Sequence, residues 1–259
     1  MTVSQSSPYP KGRKDARRYL RPPEPLFFPT TVEVDEAVPE SGWHQRARGL
    51  LADSLEREFG DSALVTSDQF LYWDPTNPRL CLAPDVAIRR GTKREIIPSW
   101  KIWERGAPHV GVELLSASDQ PIFRLEEKLA RYRQAGVGEV VAFDRDKPDR
   151  PIRIWDLLEG DLVERDLTGP DALRCDALDR FWCTYRDPEL GPVLRLSRDV
   201  GGLELVPTVA EAERIAKKLV QAERDAAQAE RDAAQAERDA ALARLAALEA
   251  EIQAARARK

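Results

Sequence analysis

Cysteine is scarce in this sequence, and its spacing argues against a disulfide framework. The 259 residues include only Cys81, Cys175 and Cys183, and no CxxC pair. Disulfide scaffolds and structural zinc sites need more cysteines at closer spacing. We therefore expect a reducing, cytoplasmic setting, and a hydrophobic content of 42% is enough for a core without covalent links.

Long apolar runs are also missing. No stretch approaches the roughly 18 consecutive apolar residues of a membrane span, and the N-terminus lacks the apolar segment of a secretory signal. Residues 1–25 instead combine Ser, Pro and basic side chains with a net charge of +4, which is typical of a disordered arm. A basic arm that touches phosphate is the alternative.

The chain as a whole has no excess of positive charge. Its formal net charge is −5, and residues 211–259 are neutral with ten basic and ten acidic side chains, which leaves −9 on residues 26–210. Nonspecific nucleic-acid binding usually requires a basic surface, so composition gives no sign of it. An acidic body is compatible with a metal site lined by carboxylates.

Residues 26–206 show the pattern of one α/β or α+β sheet domain. Apolar residues at helical spacing predict helices at 44–59 and at about 121–135, which Gly60 and Gly136 end. Short apolar runs predict strands at 31–34, 64–72, 86–89, 110–115 and 140–143, and a hairpin of 152–157 with 162–166. This order of elements predicts a single domain of the α/β or α+β class, built on a sheet.

Residues 207–259 form a separate segment. The sequence Gln-Ala-Glu-Arg-Asp-Ala-Ala occurs three times in succession over residues 221–241, without Gly or Pro, and predicts one long helix. Apolar residues at 4-3 spacing from Ile215 onward predict a coiled-coil seam. We expect a homodimer or higher homo-oligomer through residues 211–259. A solitary helix stabilised by i,i+4 pairs is the alternative.

Three polar residues stand where a plain core would have apolar ones. Asp85 lies in the apolar run 84–88, Glu113 lies inside the run 110–115, and Lys128 lies on the second predicted helix. A carboxylate in so apolar a strand is costly unless a cation satisfies it. If the two strands are neighbours, both carboxylates reach one point, where Mg²⁺ or Mn²⁺ with oxygen ligands would fit.

Lys128 fits a catalytic role beside such a metal. It lies just outside the apolar stripe of its helix, so its ammonium can point toward the sheet and orient or deprotonate a water. Plain structural roles fit equally well when each residue is taken alone. Asp85 can be a turn residue, Glu113 can pair with a core arginine, and Lys128 can be solvated.

A set of motifs in this region resembles a known nuclease family. The motifs are Pro84-Asp85-Val86, then Val112-Glu113-Leu114-Leu115-Ser116-Ala117-Ser118, then Glu127-Lys128 with Tyr132 and Gly136-Val137. Together they resemble the Uma-type family of restriction endonucleases, within the PD-(D/E)XK nuclease superfamily, over about residues 30–205. The resemblance implies a restriction-endonuclease-like mixed β-sheet flanked by helices, Asp85 and Glu113 as Mg²⁺ ligands, and DNA as the substrate.

The sequence departs from the family pattern at some positions. Leu115 replaces the superfamily's usual lysine two residues after the glutamate, and the resemblance gives that role to Lys128. Ala117 stands where the family prefers proline. The acidic residues of the opening segment match only loosely; they are Glu33, Glu36 and Glu40. His44 matches a family histidine at a helix start, where capping, packing and catalysis all remain open. Ser116 and Asp119 are expected to shape the loop near the metal.

The combined prediction is a Mg²⁺-dependent endonuclease that hydrolyses DNA phosphodiester bonds and carries a helical oligomerisation tail. The rival hypothesis is a nuclease fold retained as a noncatalytic binding or scaffold module, which the acidic body and the long tail favour. A third reading is a metal-dependent phosphoesterase that acts on RNA or nucleotides.

Overall fold

The computed structural model describes residues 27–29, 41–116, 124–169 and 171–257. Within these ranges the helices are α1 (Gly42–Phe59), α2 (Ile102–Arg105), α3 (Leu125–Ala135) and α4 (Val209–Ala257). The strands are β1 (Ala63–Ser67), β2 (Leu71–Tyr72), β3 (Cys81–Leu82), β4 (Val86–Arg90), β5 (Trp100–Lys101), β6 (Val110–Leu115), β7 (Glu139–Asp144), β8 (Ile152–Leu158), β9 (Asp161–Glu164), β10 (Arg174–Cys175), β11 (Arg180–Asp187) and β12 (Gly191–Ser197). The predicted mixed α/β class is confirmed. The predicted arm at 1–25 and strand at 31–34 lie outside the described residues.

The main sheet has six strands in the order β1-β4-β6-β7-β8-β9. Only β6 and β7 run parallel, so the sheet is mixed. Val110, Val112 and Leu114 of β6 belong to the core beneath α1, whereas Tyr132 of α3 belongs to a second core on the opposite face. The two helices therefore cover opposite faces, and the alternate residues of β6, including Glu113, face α3.

Helix α1 lies between the main sheet and a second sheet formed by β10, β11 and β12. Its apolar face is fully buried at Leu51 and Leu55, and Trp182 and Leu196 of the second sheet join the same core. The Ser41 hydroxyl caps the helix by accepting a hydrogen bond from the His44 amide at 3.2 Å. This cap sets the first turn, in which His44 lies.

One predicted strand is divided in the structure. Residues 64–72 were expected to form a single strand, but β1 belongs to the main sheet, whereas β2 pairs with β3 and β5 in a small third sheet. Asp68 between them has a φ of +50°, a left-handed conformation that Asp tolerates better than most residues and that ends the strand. The break directs the chain away from β4 just beside Asp85.

The other boundaries follow local sequence signals. Gly136, in the left-handed conformation, ends α3 as predicted. Glu159 and Gly160 both have positive φ, which gives the two-residue turn of the predicted β8–β9 hairpin. Helix α3 begins at Leu125, and residues 121–123 of the predicted helix lie outside the described ranges.

Helix α4 starts from a capping box on the main body. The Thr208 hydroxyl accepts from the Glu211 amide at 3.1 Å, and Glu211 Oε2 accepts from the Thr208 amide at 2.8 Å. The side chain of Arg195 on β12, which is fully buried, donates to both Glu211 oxygens. Among the described residues, no helix is both long and apolar enough to span a membrane.

Candidate active site

Asp85 is buried immediately before β4 and contacts both β6 and α1. Its Oδ2 accepts a hydrogen bond from the Leu114 amide at 2.6 Å, and His44 Nε2 lies 2.7 Å from its Oδ1. Since a carboxylate oxygen can only accept, this second contact needs the imidazole hydrogen on Nε2. The carboxylate is therefore held by two donors from different elements.

The register of the main sheet places Glu113 opposite Asp85. Val86, the first residue of β4, pairs with Val112 across the antiparallel β4–β6 ladder, so Asp85 just before β4 lies at the register position of Glu113. Glu113 is completely buried. The two strands are therefore neighbours, as the sequence prediction required, and the Asp85 charge acts on the Glu113 carboxyl.

Two residues of α3 satisfy the Glu113 carboxylate. Lys128 Nζ donates to Oε2 at 2.5 Å, and the Tyr132 hydroxyl donates to Oε1 at 2.6 Å. Positions 128 and 132 are one helical turn apart and share a face of the helix, which is why both reach the same carboxylate. The sequence analysis proposed Lys128 as a site residue. The i,i+4 spacing from Lys128 to Tyr132 could have pointed to the tyrosine hydroxyl as well.

The electrostatics of the site reflect its burial. Burial raises the pKa of Glu113, Lys128 opposes this effect, and the Asp85 charge raises the pKa further. Burial lowers the pKa of Lys128, but the charges of Glu113 and Asp85 outweigh it, so the pKa lies above its ordinary value. Burial and then the Glu113 charge raise the pKa of Tyr132 well above its ordinary value. Lys128 is therefore an ammonium ion and Tyr132 a hydrogen-bond donor.

The donor set fits a hard divalent cation. Each of the four carboxylate oxygens of Asp85 and Glu113 takes part in one hydrogen bond, and each keeps a lone pair for a metal. In the part of the chain that the structure describes, no three His, Cys, Asp or Glu side chains group as a metal site. Mg²⁺ commonly takes only one or two carboxylates, with water and substrate phosphate completing its shell.

Asp68 is a charged neighbour that the sequence did not single out. Its amide donates to the Asp85 carbonyl at 3.2 Å, and its carboxylate lies 3.4 Å from the Arg48 guanidinium. Its side chain is 56% exposed, so it lies at the solvent side of the site. It adds negative charge near Lys128.

The second of the chain's two histidines and the remaining candidate residues are placed elsewhere. His109 lies at the opposite end of β6, where its Nδ1 accepts from the Arg90 amide at 3.3 Å. Ser116 directly follows β6. Several candidates lie outside the described residues; they are Glu33, Glu36, Glu40, Ala117, Ser118 and Asp119. His44 is buried and contacts Asp85 through Nε2, so its side chain lies beside this carboxylate.

Comparison with known proteins gives one family match. The family model described as "Uma2: Putative restriction endonuclease" matches residues 33–186. A solved structure, described as a putative nuclease belonging to DUF820 from Anabaena variabilis, is 14% identical, covers 53% of this chain and 74% of that chain, and has a TM-score of 0.36. That likeness is too distant to carry an argument. No curated protein matches the chain.

Proposed function

Because this chain belongs to the Uma2 family, we propose that it is a Mg²⁺-dependent endonuclease that hydrolyses phosphodiester bonds in DNA. One observation carries the proposal. Asp85 and Glu113 face each other from neighbouring strands, and the Lys128 ammonium lies 2.5 Å from the Glu113 carboxylate. Two carboxylates and a lysine at one buried point are the groups that metal-assisted phosphodiester hydrolysis needs.

Each residue has a distinct role in this proposal. Asp85 and Glu113 would hold Mg²⁺ or Mn²⁺, which when bound polarises the phosphodiester and lowers the pKa of water. Lys128 would orient the attacking water or stabilise the charge that develops on the phosphate. His44 and the Leu114 amide would keep the Asp85 carboxylate in place.

Cleavage of supercoiled plasmid with Mg²⁺ or Mn²⁺ tests the proposal. Wild type should nick or linearise the plasmid, and Lys128→Ala should lose about 100-fold or more of that activity. Lys147→Ala is the matched control, because this lysine is 70% exposed and forms an ion pair with Asp144 rather than with Asp85 or Glu113. Circular dichroism should show that each variant is folded.

The other outcomes separate the hypotheses. Equal activity of wild type and Lys128→Ala would mean a contaminant or a mechanism that does not use this lysine. A folded wild type that cleaves no DNA would contradict the endonuclease and favour the noncatalytic module.

We also propose that residues 26–206 form the nuclease domain and that residues 207–259 are an oligomerisation segment. Support comes from α4, along which several apolar side chains are about half exposed; they are Ile215, Leu219, Leu242, Leu245, Leu248 and Ile252. Each repeat carries an i,i+4 bond from Gln to Asp, such as Gln221 to Asp225 at 2.7 Å, which stabilises the helix itself and is compatible with either state of association. A second copy of the chain would cover the apolar stripe.

A further inference from the structure

Tyr132 contacts the candidate metal site, although the roles proposed above do not use it. Its ring is completely buried between α3 and the main sheet, and its hydroxyl donates to Glu113 Oε1 at 2.6 Å. A buried tyrosine could pack just as well without its oxygen. The hydroxyl therefore calls for a reason beyond packing.

Gly111 on β6 provides the space for this ring. A Cβ atom at this position would lie 3.1 Å from Tyr132 Cζ and 2.4 Å from Cε1, and the second distance is closer than a Cβ atom can approach. Gly111 does not have a positive φ, so the backbone does not require glycine here. A glycine inside a strand marks a close approach of another group, and here that group is the aromatic ring.

Strand β6 carries both residues that Tyr132 contacts. Gly111 and Glu113 are two residues apart on β6, so they present the same face to α3. The ring lies against the strand at the first position and carries its hydroxyl to the carboxylate at the second. Lys128, one turn earlier on α3, holds the other oxygen. Both carboxylate oxygens are thus fixed from a single helix.

We propose that Tyr132 is a positioning residue that orients Glu113 toward the divalent cation, and that Gly111 leaves the space that the tyrosine ring needs to reach this carboxylate. The inference rests on the proposed function, in which Glu113 is a metal ligand. A carboxylate with one hydrogen bond to each oxygen cannot rotate freely, so its remaining lone pairs keep one direction. Groups that orient metal ligands in this way commonly strengthen metal binding 10- to 100-fold.

Calorimetric titration of the full chain with Mn²⁺ alone, without DNA, tests this role. Tyr132→Phe removes one oxygen atom and should weaken Mn²⁺ binding about 10-fold or more. Tyr72→Phe is the matched control, since Tyr72 is equally buried and its hydroxyl donates to the Pro29 carbonyl at 2.5 Å, outside the site. The control variant should bind Mn²⁺ as wild type does.

Gly111→Ala provides an independent variant. The added methyl group should displace the Tyr132 ring and weaken Mn²⁺ binding by a similar factor. Gly49→Ala on α1 is its control, because a Cβ there meets nothing within 4 Å. If Gly111→Ala does not fold, Tyr132→Phe alone decides, since it adds no atom to the core.

Plasmid cleavage distinguishes orientation from general damage. Excess Mn²⁺ should restore the activity of Tyr132→Phe, because saturating metal compensates for weaker binding. Wild-type Mn²⁺ affinity in Tyr132→Phe would overturn the inference and leave the proposed function intact. Absence of Mn²⁺ binding by wild type would overturn both, so the two failures are distinguishable.

Discussion

At the scale of single residues, the fully buried Glu113 carboxylate sets the energetics of the site. Its cationic partner is Lys128, whose side chain is only 18% exposed. Replacing a buried ion pair with apolar groups can be nearly neutral, but removing one partner leaves an unpaired charge and is strongly destabilising. The Glu113–Lys128 ion pair therefore affects the stability of the fold as well as the chemistry proposed for the site.

Lys128→Ala should lower the free energy of unfolding by about 3–5 kcal/mol, because it leaves the Glu113 carboxylate buried without its cation. Urea denaturation followed by circular dichroism measures the change. The double variant Lys128→Met, Glu113→Leu should recover most of the loss. If the single variant is as stable as wild type, the pair seen in the structure does not hold in solution.

Glu113→Gln should abolish Mn²⁺ binding, since the neutral amide removes half of the proposed anionic ligand set. Calorimetry measures the affinity, and a thermal melt checks that the variant folds. Glu164→Gln is a useful control, because Glu164 pairs with Arg153 on the far edge of the sheet. Unchanged Mn²⁺ affinity in Glu113→Gln would remove this residue from the metal site.

The sequence predicted the three central residues for a local reason. Asp85 and Glu113 interrupt apolar runs, and Lys128 borders a helical stripe, so each deviates from its immediate surroundings. The contact of His44 with Asp85 crosses 41 positions and depends on how α1 lies over the sheet. No local periodicity encodes such a contact.

At the scale of elements, a partly buried ion pair joins β12 to α4. Arg195 is fully buried and donates to Glu211 at 2.7 and 3.1 Å, and to the Val206 carbonyl at 2.7 Å. The hydrogen bond from Arg195 makes the largest contribution to lowering the pKa of Glu211 from 4.5 to about 2. The charged form of Glu211 therefore stabilises the fold.

This pair predicts a pH dependence. A carboxyl group with a depressed pKa contributes stability above its unfolded pKa, and that stability is lost as the pH falls from about 4.5 toward about 2. Glu211→Gln should be less stable than wild type at pH 7, and the difference should shrink between pH 5 and pH 3. Urea midpoints across this range measure it, with the exposed Glu213→Gln as control. A difference that stays constant would contradict the assignment.

The elements also show where local patterns fail. The main-sheet strands and α1 follow strong periodicity and were predicted near their true positions. The division of 64–72 into β1 and β2 was missed, because it depends on one left-handed residue, Asp68. The β10–β12 sheet was not placed either, since its residues are assigned by packing against α1 rather than by their own pattern.

At the scale of the whole molecule, the proposed role of α4 is to set how many chains associate. Removing residues 219–259 deletes all of the proposed seam except Ile215 and keeps Glu211, so Arg195 retains its partner. Light scattering should give a multiple of 29.2 kDa for the full chain and a single shortened chain for the truncation. A full chain that already has the mass of one copy would mean that the helix is solitary.

The length of α4 has a geometric consequence for such an assembly. Its 49 residues extend about 74 Å at 1.5 Å per residue, which matches about two turns of B-DNA at about 3.4 Å per base pair. Parallel helices would bring two nuclease domains side by side, whereas antiparallel helices would place them at opposite ends. The direction in which two copies align would therefore set the distance between paired cuts on a duplex.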